Sequence, residues 1–316
     1  MNKRSIMILN DIKERIDKAY SLLEKCIVCP RECRVNRLKG ETGFCGIGLN
    51  PRVASYNVHH GEEPPISGTK GSGNIFFSGC NMRCTYCQNF PISQLRNGKE
   101  ITTQKLAEVM LYLQSKGCHN VNFVTPSHLI PQIIQALFWA GEKGFNLPLV
   151  YNTSGYDSLK ALKLLDGIID VYLPDMRYSD NSIAKELSSV ENYVEINRLA
   201  IKEMYRQVGK LVTDKHGIAL KGLIIRHLIL PQNLAGSERT FQFISREISE
   251  ETHLSLMGQY FPSFKAGECV SIDRKITPEE YESAVESFFK SGFSRGWMQE
   301  GSTFPTVPKA KSKKRI

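Results

Sequence analysis

Beyond residue 73 the chain alternates between two hydrophobic patterns. Short apolar runs at 74–78, 121–125, 149–152, 168–173, 223–230 and 254–257 have the length and residue types of buried strands. Between and after them, apolar residues recur every three or four positions over 103–116, 129–143, 159–165, 183–208, 238–250 and 278–290, which predicts amphipathic helices. The last opens with Thr277-Pro-Glu-Glu, a capping sequence with proline in the first turn and acids where the helix dipole favours them. Strands alternating with helices build a parallel sheet with helical crossovers, so the expected class is α/β. Six such units form either an open, partial β/α barrel or a doubly wound sheet. In both, reacting groups sit on loops just past the carboxyl ends of the strands.

Ahead of this body a helix is predicted over 6–24, followed by a cysteine-rich segment. The Gly/Pro-rich stretch HHGEEPPISGTKGSG at 59–73 reads as loop. His59, His60, Glu62 and Glu63 lie among its turn formers without the spacing of a metal site, and are read as a solvated linker rather than a lid over the barrel mouth. The expected division is an extension over 1–73, an α/β body over 74–300 and a disordered basic tail over 301–316.

A length of 316 residues supports one or two domains at ~150 residues each and a large core. With 41% hydrophobic and 23% charged residues, neither a membrane bundle nor a disordered chain is expected. No stretch approaches the ~18 apolar residues that span a bilayer, and the apolar run at 6–9 is too short for a signal sequence. The expected compartment is therefore the cytoplasm. The net charge is +9, but five of those charges come from Lys309, Lys311, Lys313, Lys314 and Arg315. The remaining +4 gives little reason to expect a nucleic-acid partner.

Seven of the nine cysteines fall in two groups, Cys26, Cys29, Cys33 and Cys45 in the first, and Cys80, Cys84 and Cys87 in the second. In a reducing compartment such grouping points to metal or redox chemistry. Cys118 and Cys269 stand apart and read as small buried hydrophobes. Three thiolates in the short loop CNMRCTYC suit an iron-sulfur cube and leave one iron without a protein ligand, open to a small molecule. Spacings of four and three also fit a helical core stripe, but Gly79 and Asn81 flank Cys80 with turn formers. A three-cysteine zinc site completed by a distant histidine is the other reading. The four cysteines of the first group would close a site fully, as zinc or a second iron-sulfur cluster; Pro30 disfavours a helix there, and Gly40, Gly43 and Gly46 supply turns.

The motif CxxxCxxC, with Tyr86 just before its last cysteine, resembles the signature of the radical S-adenosylmethionine (SAM) superfamily. Within it the chain is similar to pyruvate formate-lyase activating enzymes. That resemblance is carried by CPREC, GFCG, FFSGCNMRCTYCQN, NFVTPSH, VYLPDM and IIRHLILP and covers most of the chain. It implies a partial barrel, a [4Fe-4S] cluster held by Cys80, Cys84 and Cys87, and SAM chelated at the open iron. It further implies reductive cleavage of SAM to a 5'-deoxyadenosyl radical that abstracts hydrogen from a substrate, with glycyl-radical activation as one such use. An electron donor such as flavodoxin or ferredoxin is expected on the same ground. Activating enzymes with extra clusters usually carry the added cysteines after this loop, whereas here four precede it.

Expected cofactor contacts are Tyr86 and the strand ends: Thr125, Pro126 and Ser127 after the second strand, where the superfamily commonly has Gly-Gly-Glu-Pro, then Asn152 and Ser154, then Asp175. On the fifth strand Arg226 and His227 point to opposite faces, and His227 is taken as a contact. Gln259 and Tyr260 beyond the sixth strand, and polar groups in EMYRQVG at 203–209, are further candidates for meeting a substrate or solvent. The contrasting expectation is a non-catalytic zinc or iron-sulfur module that binds nucleic acid.

Overall fold

The computed structural model describes residues 3–299. The expected tail at 301–316 lies outside the described residues. Helix α1 (Lys3–Glu24) leads into the cysteine-rich segment, then strand β1 (Arg52–His59), a short α2 (Pro64–Ser67) and β2 (Ser72–Phe77). After α3 (Phe90–Ser93) and β3 (Lys99–Glu100), the chain alternates through α4 (Thr103–Ser115), β4 (Val121–Val124), α5 (Ile130–Glu142), β5 (Leu149–Thr153), α6 (Leu159–Lys163) and β6 (Val171–Pro174). It continues through α7 (Asn181–Ser188), α8 (Tyr193–Val208), β7 (Val212–Thr213), β8 (Ala219–Leu228), α9 (Ser237–Glu247), β9 (His253–Met257), α10 (Pro278–Lys290) and β10 (Gly296–Gln299).

The strands form one mostly parallel sheet in the order β10-β9-β8-β6-β5-β4-β2-β1-β3, with β7 paired to β8 at the side. Among the described residues pairing does not return from β10 to β3, so the barrel stays open. β1 and β3 are antiparallel additions at one edge. Each parallel strand sends alternate side chains inward and outward. Ile75, Phe77, Val121, Phe123, Tyr151, Tyr172, Leu223 and Ile225 point outward, fully buried in the large core that includes the helices. Val150, Val171, Leu173 and Ile224 point inward and meet Ile66 of α2 in a smaller core.

The stretch at 59–73 is the main departure from the linker expected there. Residues 60–67 form a strap across the inner face of the sheet. Ile66 fills the lower barrel, and Glu62 accepts hydrogen bonds from Asn74 (2.7 Å) and Asn122 (3.2 Å) on neighbouring strands. Strand β1, whose side chains are largely exposed, was not visible in the hydrophobic pattern. The predicted single helix over 183–208 is two helices, because Ser189 adopts a left-handed backbone (φ 55°) that ends α7. A seventh parallel strand, β10, pairs with β9.

Candidate active site

The loop after β2 carries Cys80, Cys84 and Cys87, and all three line a cavity of about 480 Å³ at the carboxyl ends of the strands. Each sulfur already has a polar neighbour. The Met82 amide donates to Cys80 Sγ (3.4 Å), Ser188 Oγ donates to Cys84 Sγ (3.0 Å), and Arg177 Nη1 donates to the same sulfur (3.5 Å). Cys87 Sγ lies 3.1 Å from Ser93 Oγ. Burial, reinforced by Cys84 and Cys87, pushes the Cys80 thiol up to about 12. Such a thiol keeps its proton until a metal displaces it.

Tyr86 is buried beside the loop rather than exposed to solvent; its hydroxyl pairs with Tyr178, and Tyr178 in turn with Ser188 (2.6 Å). The tyrosine therefore braces the Cys84 side of the loop while its ring edge meets Tyr260.

Around the thiols the cavity gathers Thr125, Asn152, Ser154 and Asp175 from the ends of three strands, β4, β5 and β6. Thr125 holds a left-handed backbone (φ 62°), and Ser154 Oγ is buried with no hydrogen-bond partner. Pro126 and Ser127 do not reach the cavity lining; Ser127 is buried and bonds Thr153 Oγ1 at 2.9 Å. His227 is placed on the far face of β8, buried among helices, with its ring nitrogens on Met176 O (2.7 Å) and Ser237 Oγ (2.9 Å). Strand alternation sends Arg226 inward instead. Gln259 lines the cavity, whereas Tyr260 is buried against Tyr86. On α8, Glu203 accepts from Arg206 of the same helix and Gln207 accepts from Tyr172 of β6, away from the cavity.

Charged residues complete the lining, Arg177 among them, which the sequence did not flag. Arg177 Nη2 lies 2.5 Å from Asp175 Oδ2. Arg226 binds Glu63 through Nε and Nη2, both at 2.7 Å, and also pairs with Glu62. Burial opposes ionisation of Glu63, but the adjacent guanidinium overrides it and holds the carboxyl below its usual range. Glu62 and Glu63 are thus part of the cavity floor, not a solvated linker. Their signal was present in the sequence as acids beside an apolar Pro-Pro-Ile-Ser segment, but the partner lies more than 160 residues away.

The sequence profile of the radical SAM superfamily matches residues 74–214. Over 285 residues the chain is 33% identical to the uncharacterized protein MJ0674 of Methanocaldococcus jannaschii, covering 86% of this chain and 76% of that one. The chain belongs to the radical SAM superfamily. Among solved structures, HydG, a maturase of the [FeFe]-hydrogenase, aligns at a TM-score of 0.49 and 12% identity, over 94% of this radical SAM chain and 66% of HydG. A radical SAM methyltransferase from Sphaerobacter thermophilus aligns at 0.47 and 11% identity, over 72% of this chain and 66% of that one. The chain thus spans just under two thirds of each solved protein. Among the described residues no helix is long and apolar enough to cross a membrane.

Radical SAM proteins use a [4Fe-4S] cluster and SAM, and the cavity residues fit both. Three thiols, Cys84 buried and Cys80 and Cys87 partly so, each with a polar group beside its sulfur, suit a cluster, whose potential such hydrogen bonds tune. Among the described residues no three His, Cys, Asp or Glu side chains converge as one ion would require. A four-iron cube is wider than an ion and spreads its ligands. The unpartnered Ser154 hydroxyl and the Arg177 and Asp175 pair offer hydrogen bonds and both signs of charge to a zwitterionic ligand.

Proposed function

We propose that this protein is a redox enzyme that starts hydrogen abstraction from a substrate with a radical derived from SAM. The observation that carries the reading is the convergence of Cys80, Cys84 and Cys87 with Asn152, Ser154, Asp175 and Arg177 on one cavity. A [4Fe-4S] cluster held by Cys80, Cys84 and Cys87, with SAM bound beside it, would supply reductive, radical-based hydrogen abstraction. The chain's own residues hold and position the reactants. The three cysteines ligate iron, Ser188 and Arg177 steady the Cys84 sulfur, and the strand-end polar groups orient the cofactor. Phe76, Val124, Leu228 and Met257 supply apolar walls that limit water near a reactive intermediate.

Within the superfamily, the loop sequence FFSGCNMRCTYCQN supports a place near the pyruvate formate-lyase activating enzymes. On that reading a glycyl residue of a partner protein is the hydrogen source, a flavodoxin or ferredoxin donates the electron, and the enzyme works in the cytoplasm. The cysteines at 26–45 bind a second metal centre.

The test is anaerobic reconstitution with iron and sulfide, followed by metal quantification and chromatographic detection of 5'-deoxyadenosine after adding dithionite and SAM. Product is expected from the unaltered chain, and Cys84→Ala is expected to lose it together with about four irons. A Cys84→Ala protein that keeps its full iron and sulfide would falsify the ligand assignment. A chain that takes up only zinc and makes no 5'-deoxyadenosine would overturn the radical reading and favour a nucleic-acid-binding module.

A further inference from the structure

Arg37 is fully buried, and its hydrogen bonds among the described residues go to backbone carbonyls. Its Nε donates to Gly48 O (2.9 Å) and its Nη1 to His128 O (2.7 Å), while Nη2 has no partner. An isolated buried cation costs several kcal/mol or more unless a negative charge stands nearby. The neighbour that feels its field is the buried thiol of Cys45.

Cys45 belongs to a gathered set. A methyl group on Gly43, two residues before Cys45, would lie 2.8 Å from Cys33 Sγ, and Cys26, Cys29 and Cys45 are buried in one core, spread more widely than a single ion would require. The backbone around them is tied into tight turns. The Cys26 amide donates to Val35 O (2.8 Å), the Arg34 amide to Cys26 O (3.0 Å) and the Phe44 amide to Cys33 Sγ (3.3 Å). Glu32 and Arg34 hold positive φ, the left-handed backbone that sharp turns of a metal knuckle use. As neutral thiols these residues give Arg37 no counter-charge; as metal thiolates they do.

The group is also fastened to the Cys80 loop. The Arg31 Nε donates to Asn81 O (2.7 Å), and Arg83, which donates to Cys80 O (3.1 Å), stacks on Phe44 at 4.2 Å opposite the contact that Arg31 makes at 3.8 Å. A methyl group on Gly79 would lie 2.6 Å from Cys45 O, so the two cysteine segments touch at backbone level.

From this arrangement we infer that Cys26, Cys29, Cys33 and Cys45 hold a four-iron cluster whose negative charge is balanced inside the protein by Arg37. Its contact with the Cys80 loop makes it a one-electron relay. A low-potential flavin- or iron-sulfur-bearing protein is oxidised by one electron, the Cys26 cluster is reduced by one, and that electron passes on to the Cys80 site; no proton or heavy atom moves. The relay rests on the radical reading above, whereas the cluster and its counter-cation do not.

The test uses the full chain with Cys80, Cys84 and Cys87 all replaced by alanine, reconstituted with iron and sulfide. About four irons and one electron paramagnetic resonance signal after dithionite reduction are expected, against about eight irons in the unaltered chain. On the same background Arg37→Met is expected to move the midpoint potential to more negative values or to lose the cluster, because the added electron makes an already anionic centre more so. Arg37→Lys should restore it. Zinc in place of iron, or no metal, would overturn the cluster, and an unmoved potential in Arg37→Met would overturn the counter-cation. If the triple variant binds iron while the unaltered chain makes no 5'-deoxyadenosine, the radical reading and the relay fail together and the Cys26 cluster stands.

Discussion

Gly79 shows how much one residue beside a metal loop decides. It precedes Cys80, holds a left-handed backbone (φ 78°), and leaves no room for a side chain against Cys45 O and Ile47. Gly79→Ala meets both the conformational strain, about 1–3 kcal/mol for a non-glycine residue held there, and a backbone clash that must push the two cysteine segments apart. We expect a lower urea midpoint and weaker iron retention in the same protein; an alanine variant with wild-type stability and iron content would contradict the close approach. At this scale the sequence was informative about which thiols share the cavity and much less so about what faces them. Cys80, Cys84 and Cys87 were legible because spacing within a short loop carries the chemistry. Arg37 and Arg177 were not, because a lone arginine in sequence reads as surface until its distant partners are known. The choice between Arg226 and His227 needed the sheet's inner face, and alternation alone gives no sign for it.

Elements with strong local signals stand where the pattern put them. The helix predicted over 278–290 has the same bounds in the structure, and its capping box is formed, with Thr277 accepting from the Glu280 amide and the Glu280 carboxylate accepting from the Thr277 amide. Arg274 also pairs with Glu280, and these contacts hold the Glu280 carboxyl down at about 2. Thr277→Ala removes one half of the box and should cost about 1 kcal/mol, read as a lower thermal midpoint with iron content unchanged, since α10 does not touch the cavity lining. A loss of iron in this variant would mean that α10 supports the site through α9, where Phe288 meets Phe241. Weak local signals account for the misses. The break between α7 and α8 sits at a serine rather than a glycine, and β1 has an exposed face, so neither departs visibly from its surroundings in sequence.

At the scale of the whole molecule, both faces of the sheet hide titratable groups that are fixed in one state. His227 lies between β8 and α9 and His128 between α5 and the end of β2, where His128 Nε2 meets Ser78 O at 3.0 Å. Burial pushes His227 down to about 4, and burial with the nearby Arg37 pushes His128 down to about 3. Each folded value lies below the unfolded one of ~6.5, so between these limits the unfolded chain binds protons that the folded chain refuses. Stability therefore rises with pH across that window and is lost as the solution is acidified from about pH 6.5. Glu63 adds a second loss at lower pH: its carboxyl is held down by Arg226, so the stability it contributes is present above the ordinary carboxylate value and falls away below it. The two contributions separate by substitution. His227→Gln keeps a polar group near Met176 and Ser237 but does not titrate, and should narrow the difference in unfolding free energy between pH 7 and pH 5 by about 2 kcal/mol. Urea titrations of both proteins at the two pH values measure this directly, and equal pH dependence in the two would show that His227 takes up its proton without unfolding the chain.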